Sequence, residues 1–167
     1  QSKNYKNALS NYLQALDIRE QLGNTEKIAS TLNNIGLIYK DLSNFDKALE
    51  YYNKSFELYK QIENQFLQSE ALNLIGGVYW QSKRYEEARD VYKNVVKMRI
   101  AVGDKKYIAR SYTNLALAYK SLNERDSALM QYNNALETYR DLGDKMNEAS
   151  QINNIGNLYL KFNETDM

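Results

Sequence analysis

Apolar residues in this chain recur at helical spacing, in blocks separated by short breaks. Leu32, Ile35, Gly36 and Tyr39 follow one another at intervals of three, one and three, which draws a single stripe down a helix. The pattern breaks at Leu42-Ser43-Asn44, and a second stripe begins with Phe45, Ala48, Leu49, Tyr52, Ser55, Phe56 and Tyr59. Tyr85, Ala88, Tyr92, Val95 and Val96 continue the scheme, as do Ala128, Leu129, Tyr132, Ala135 and Leu136. The start of the chain, through Tyr5, Ala8, Tyr12 and Ala15, fits a second stripe, and the end, through Tyr159 and Leu160, fits a first stripe. The reading is eight helices over 4–21, 26–42, 45–61, 66–82, 85–101, 105–122, 125–141 and 145–161, each about 25 Å long.

The stripes repeat. Leu32-Asn33-Asn34-Ile35-Gly36 returns as Leu72-Asn73-Leu74-Ile75-Gly76, as Tyr112-Thr113-Asn114-Leu115-Ala116 and as Ile152-Asn153-Asn154-Ile155-Gly156, each time after 40 residues. A fixed period of this size marks stacked helical pairs that bury their faces against their neighbours. The chain over 1–167 therefore divides into a half repeat at 1–28, repeats at 29–68, 69–108 and 109–148, and a half repeat at 149–167, and reads as a segment of a larger protein. Gly23-Asn24, Gly103-Asp104 and Gly143-Asp144 are stop-and-cap signals between pairs. Ile62-Glu63-Asn64 fills the same slot without glycine, which predicts a looser or longer helix there. The turns within pairs, Ser43-Asn44, Lys83-Arg84 and Asn123-Glu124, are short enough to make the partners antiparallel.

Composition narrows the function. The chain has no His and no Cys, which removes the commonest general bases, thiol nucleophiles, disulfides and thiolate metal sites. Twenty-two basic against 21 acidic residues offer no electrostatic footprint for nucleic acid or an anionic membrane. No apolar run reaches the roughly 20 residues of a membrane span. Glycine-rich phosphate loops are absent, and the carboxylates read as scattered over helix surfaces. The expectation is a non-enzyme without cofactor or metal. The compartment stays open, cytoplasmic or periplasmic, because a cysteine-free solenoid suits either.

The spaced residues resemble the tetratricopeptide repeat. Leu32, Ile35-Gly36, Tyr39, Ala48, Tyr52 and Ser55 match its signature, as do Leu72, Ile75-Gly76, Tyr79, Ala88, Tyr92 and Val95, and Tyr112, Leu115-Ala116, Tyr119, Ala128, Tyr132 and Ala135. The usual repeat is shorter and ends in Pro, whereas this one has 40 residues and none. The extra residues fall at the junctions between pairs. That long form resembles repeats of kinesin light chains, the spindle-orientation adaptor, bacterial peptide-sensing regulators and solenoids fronting sensor kinases. The Asn-Asn-Ile-Gly wording is most similar to the bacterial sensory versions. The resemblance implies an all-α, right-handed superhelical solenoid of antiparallel helices whose first helices line a concave groove for a protein or peptide segment.

On that reading the groove carries Asn33 and Asn34, then Asn73 and Trp80, then Arg110, Asn114 and Lys120, then Asn153, Asn154 and Asn157. An Asn amide donates and accepts, so a row of them can pair with the backbone of a bound strand whatever its side chains. The resemblance assigns that role most directly to Asn34, Asn114 and Asn154, although the same residues could simply face solvent or one another. Trp80 replaces Lys40 and Lys120 at its place and is a hot-spot candidate or a packing residue. Arg110, Lys120 and Lys161 make the later groove mildly basic, while Asn33, Asn73, Thr113 and Asn153 stand where a carboxylate clamp needs Lys. The Tyr stripes read as core, with hydroxyls bonded at its edge. Asn53-Lys54-Ser55 and Asn163-Glu164-Thr165 match the glycosylation triplet, the first inside a helix. The alternative is an architectural solenoid with an empty groove, self-associating through apolar faces of its terminal helices.

Overall fold

A computed structural model describes residues 2–163, with side chains from 4 to 162; Asn163-Glu164-Thr165 lies outside those side chains. Eight helices follow one another among the described residues: α1 Ser2–Gln21, α2 Thr25–Asp41, α3 Phe45–Gln61, α4 Gln65–Gln81, α5 Tyr85–Val102, α6 Lys105–Ser121, α7 Arg125–Asp141 and α8 Lys145–Asn163. They form two compact units, Gln1–Ser82 and Lys83–Met167.

In the first unit α1 packs on α2, α2 on α3 and α3 on α4; in the second, α5 packs on α6, α6 on α7 and α7 on α8. Within the pair α2–α3 the helices meet through small residues. Gly36 is buried against the Tyr52 ring, and a Cβ built there would lie 2.7 Å from a ring carbon. Ala48, opposite, is fully buried. The second unit does the same with Ala116, Ala128 and Tyr132, all fully buried. Between pairs a junction forms where the end of a second helix grips the start of the next first helix. Tyr59 lies there against Ala29 and Ala71, with Phe56, Leu58 and Leu67 around it, and Tyr139 lies against Ala109 and Ala135.

At the corresponding place α1 and α5 carry arginines. Arg19 donates to the Lys27 carbonyl and to Thr31 Oγ1. Arg99, only 1% exposed, donates to the Tyr107 carbonyl at 3.1 Å and lies 5.4 Å from the Tyr107 ring centre. Both bind a carbonyl in the first turn of the next helix.

The seven turns share one geometry. Gly23, Ser43, Glu63, Lys83, Gly103, Asn123 and Gly143 all have positive φ. At Glu63 the φ is 54°, and Asn64 N–H donates back to the Tyr59 carbonyl at 3.1 Å, the six-to-one bond of a Schellman end. The looser or longer helix expected at Ile62-Glu63-Asn64 does not form. Glu63 accepts a left-handed backbone, and Asn64 Oδ1 caps α4 by accepting from Leu67 N–H at 3.0 Å. Asn24, Asn44, Asp104 and Asp144 cap their helices alike, whereas Arg84 and Glu124 make no side-chain cap.

The Tyr stripe on the second helices is core, with Tyr52 and Tyr132 fully buried. Their hydroxyls do not find the expected partners at the edge: neither has a hydrogen bond among the described residues. Burial pushes the Tyr92 and Tyr132 hydroxyls up to about 12 and that of Tyr52 higher still.

Candidate functional site

In the first unit the predicted groove residues stand on α2 and α4. Asn33, Asn34 and Asn73 are half-buried, and Trp80, in the last turn of α4, is 39% exposed. Asn33 Oδ1 is enclosed and accepts no hydrogen bond among the described residues. In the second unit they stand on α6 and α8. Arg110, Asn153 and Asn157 are exposed, while Asn114, Lys120 and Asn154 are half-buried. A polar network spans the two helices: Thr113 Oγ1 donates to Gln151 Oε1 at 3.2 Å, and Asn154 Nδ2 donates to the same oxygen at 3.4 Å. Gln151 is buried, so it serves as an internal acceptor.

The cations behave less freely than the sequence suggests. Lys161 Nζ donates to the Lys120 carbonyl and to Asn123 Oδ1, both at 2.7 Å, and so closes the end of α6. It is a helix cap rather than part of a basic groove. The Arg110 guanidinium lies 5.5 Å from the Tyr107 ring centre, one turn earlier on its helix. Arg125 lies 5.4 Å from the Tyr159 ring centre and 6.0 Å from that of Phe162.

A second concavity lies elsewhere in the first unit. It is an open trough of about 820 Å³ whose walls come from α1 and α3, with α2 between them. Leu16, Ile28, Leu32, Tyr51 and Leu58 make an apolar lining. At about 100° per residue, Ile28 and Leu32 are about 40° apart around α2, whereas Asn33, Asn34 and Leu37 lie about 140° to 240° on from Ile28. The trough therefore opens on the opposite side of α2 from the Asn row. Glu20, Glu50 and Glu57 meet at its margin with Asn53 and Lys54. Most carboxylates are scattered over helix surfaces, but these three line one trough, because α1 and α3 bring positions 30 or more residues apart to it. Ser55, the last residue of the first glycosylation triplet, is fully buried.

No group of three or more His, Cys, Asp or Glu among the described residues is placed to hold a metal ion. No helix among them is long and apolar enough to cross a membrane.

Paired helices, repeated at a fixed interval with small buried residues along them, define an all-α helical-repeat protein. The chain belongs to the tetratricopeptide repeat family, whose model matches residues 1–61 and 67–141. Repeats of this family build protein-interaction scaffolds. No curated protein matches the sequence. Among solved structures it is similar to BtubC (BKLC) from P. vanneervenii, at 20% identity and a TM-score of 0.85, over 97% of this chain and 68% of that one. It is similar to the apo form of RapI at 16% identity and a TM-score of 0.86, over 98% and 45% of the two chains. A Rap protein complexed with Competence and Sporulation Factor gives 16% identity and a TM-score of 0.79, over 99% and 46%. At these identities the likeness is one of fold, and the chain spans less than half the length of either Rap protein.

Proposed function

We propose that this chain is a non-catalytic protein- or peptide-binding scaffold within a signalling or regulatory protein, and that it takes up a peptide along the Asn-bearing faces of its first helices. The observation that carries this reading is Asn33, whose enclosed Oδ1 lacks a donor on a helix face that also presents Asn34. An acceptor left unsatisfied costs about 1–3 kcal/mol, and a donor brought by a ligand would remove that cost. The Rap protein solved with Competence and Sporulation Factor, a chain of the same fold, supports the class of ligand.

Panning a random-peptide display library on the chain tests this, with the Asn34→Ala, Asn114→Ala, Asn154→Ala triple variant as control. Enriched peptides should bind the native chain and lose at least tenfold in affinity on the control, while the two proteins melt at the same temperature. Equal binding to both returns the Asn row to solvated helix surface and favours an architectural solenoid.

A further inference from the structure

We propose that the trough between α1 and α3 is a second docking site, on the side of α2 away from the Asn row, and that its occupant is a basic amphipathic helix of a partner protein. Three observations carry this. The lining is apolar along its length, and the α3 wall runs from Glu50 to Leu58. Eight residue steps at about 1.5 Å span about 12 Å, the length of two helical turns. That length takes two or three apolar side chains from one face of a helix, and an open trough admits a helix where a closed cavity would not.

The margin is acidic. Glu20, Glu50 and Glu57 share the lining with one cation, Lys54, which is already committed: its Nζ lies 2.6 Å from Glu50 Oε1. That hydrogen bond holds the Glu50 carboxyl below its usual value and raises the Lys54 ammonium above its own. Glu57 has only a 3.9 Å approach from Lys60, and the Glu20 carboxylate makes no side-chain hydrogen bond or ion pair among the described residues. Lys or Arg flanking an apolar stripe would complete both.

The margin is also particular to this place. Eighty residues on, the second unit carries Ile100 where Glu20 stands, Met130 for Glu50 and Asn134 for Lys54; only Glu137 repeats a carboxylate. Tyr112 stands for Leu32. The helical scaffold repeats and the charges do not, so the acidic rim is not a by-product of the repeat design.

The test uses two fluorescein-labelled synthetic peptides of equal length, each an alanine-rich helix with Leu at i, i+4 and i+7. One carries Lys at the flanking positions and the other Glu. Anisotropy titration of the full chain should show the Lys peptide binding at least tenfold more tightly than the Glu peptide, with affinity falling as salt rises. A Glu20→Lys, Glu57→Lys double variant should lose that preference or reverse it, with an unchanged circular dichroism spectrum. The Asn34→Ala, Asn114→Ala, Asn154→Ala variant should bind the Lys peptide as the native chain does, so this site can fail while the proposed groove stands, and the reverse. The proposal is overturned by no saturable binding of the Lys peptide, by equal affinity for both peptides, by binding that the charge reversal leaves intact, or by binding lost in the Asn variant.

Discussion

The two units are built from one plan shifted by 80 residues, and they part company where the plan leaves side chains free to vary. Arg19 and Arg99 occupy the same place and bind a carbonyl in the same turn, yet Arg19 is half-buried while Arg99 is 1% exposed. Gly36 lies against the Tyr52 ring, and at the corresponding places of the second unit Ala116 and Tyr132 are both fully buried. Asn33 keeps an unmatched oxygen, and Ala71 holds the place that Gln151 has in the other unit; Thr113 is matched by Gln151. The trough margin is acidic in one unit and mostly apolar or amide at the corresponding places of the other. What the units share is backbone geometry and small-residue contacts, which any stack of helical pairs needs. What separates them is the polar detail through which a scaffold distinguishes partners.

The largest break in the symmetry is expected at the arginines. Arg99→Ala removes a buried side chain and leaves the Tyr107 carbonyl without that donor, and should cost about 3 kcal/mol. Arg19→Ala, at the half-exposed counterpart, should cost about 1 kcal/mol. Urea unfolding of the two variants measures the gap; equal losses would mean that burial does not govern this junction.

The helix contact comes next. Gly36→Ala places a Cβ 2.7 Å from a carbon of the fully buried Tyr52 ring, so the ring or the helix must shift. Overpacking of this kind costs about 1–3 kcal/mol, against about 1 kcal/mol regained in helix propensity. The net expectation is a loss of about 1 kcal/mol. Ala116→Gly should lose about as much through propensity alone. Each residue is then right only for the spacing of its own pair, and a gain in either variant would sink that view.

The buried tyrosines behave alike in both units. Tyr52→Phe and Tyr132→Phe each delete a hydroxyl that has no partner among the described residues, and each should be neutral or stabilising by up to about 1 kcal/mol at pH 7. Burial raises both hydroxyls above the ordinary tyrosine value of 10.0, Tyr132 to about 12. The folded chain therefore holds protons that the unfolded chain gives up once pH passes 10, and stability falls from there towards pH 12. The double Phe variant should show a shallower alkaline decline in chemical unfolding. An unaltered decline would place its origin in other groups.

Much of this was legible in the sequence because the repeat multiplies each signal. Helix ends fall within about two residues of expectation, since a cap or stop residue stands at most breaks. Gly36 was readable as a close approach because a glycine in the middle of an apolar stripe leaves room for a neighbouring ring, although Gly156, at the same place in its own stripe, has nothing within 4 Å of where a Cβ would stand. Lys161 misled, because its ammonium closes the end of α6, some 40 residues earlier, and no local pattern announces such a contact. The trough stayed hidden for the same reason: Glu20 and Glu57 meet only once α1, α2 and α3 have packed. The unmatched Tyr hydroxyls were missed because position in a stripe tells which ring is buried and says nothing about what surrounds its para oxygen.

The smallest effect bears on the plainest difference between the units. The turn after α3 has Glu63 where the turn after α7 has Gly143, and both are left-handed, with φ of 54° and 67°. A side chain in that region costs about 1 kcal/mol relative to glycine, yet Glu63 takes it without lengthening the helix. Both ends of the turn are fixed: Asn64 N–H is bonded to the Tyr59 carbonyl, Asn64 caps α4, and Tyr59 is held in the core between Ala29 and Ala71. Tertiary packing therefore overrides the local preference that predicted a looser end. Glu63→Gly relieves the strain but loosens the unfolded chain, so the gain should be about 0.5 kcal/mol. Gly143→Glu imposes the strain where glycine now avoids it and should lose about 1 kcal/mol. Thermal melts of the two variants would move in opposite directions. A loss from Glu63→Gly would mean that the Glu63 side chain makes a stabilising interaction larger than the strain of its backbone.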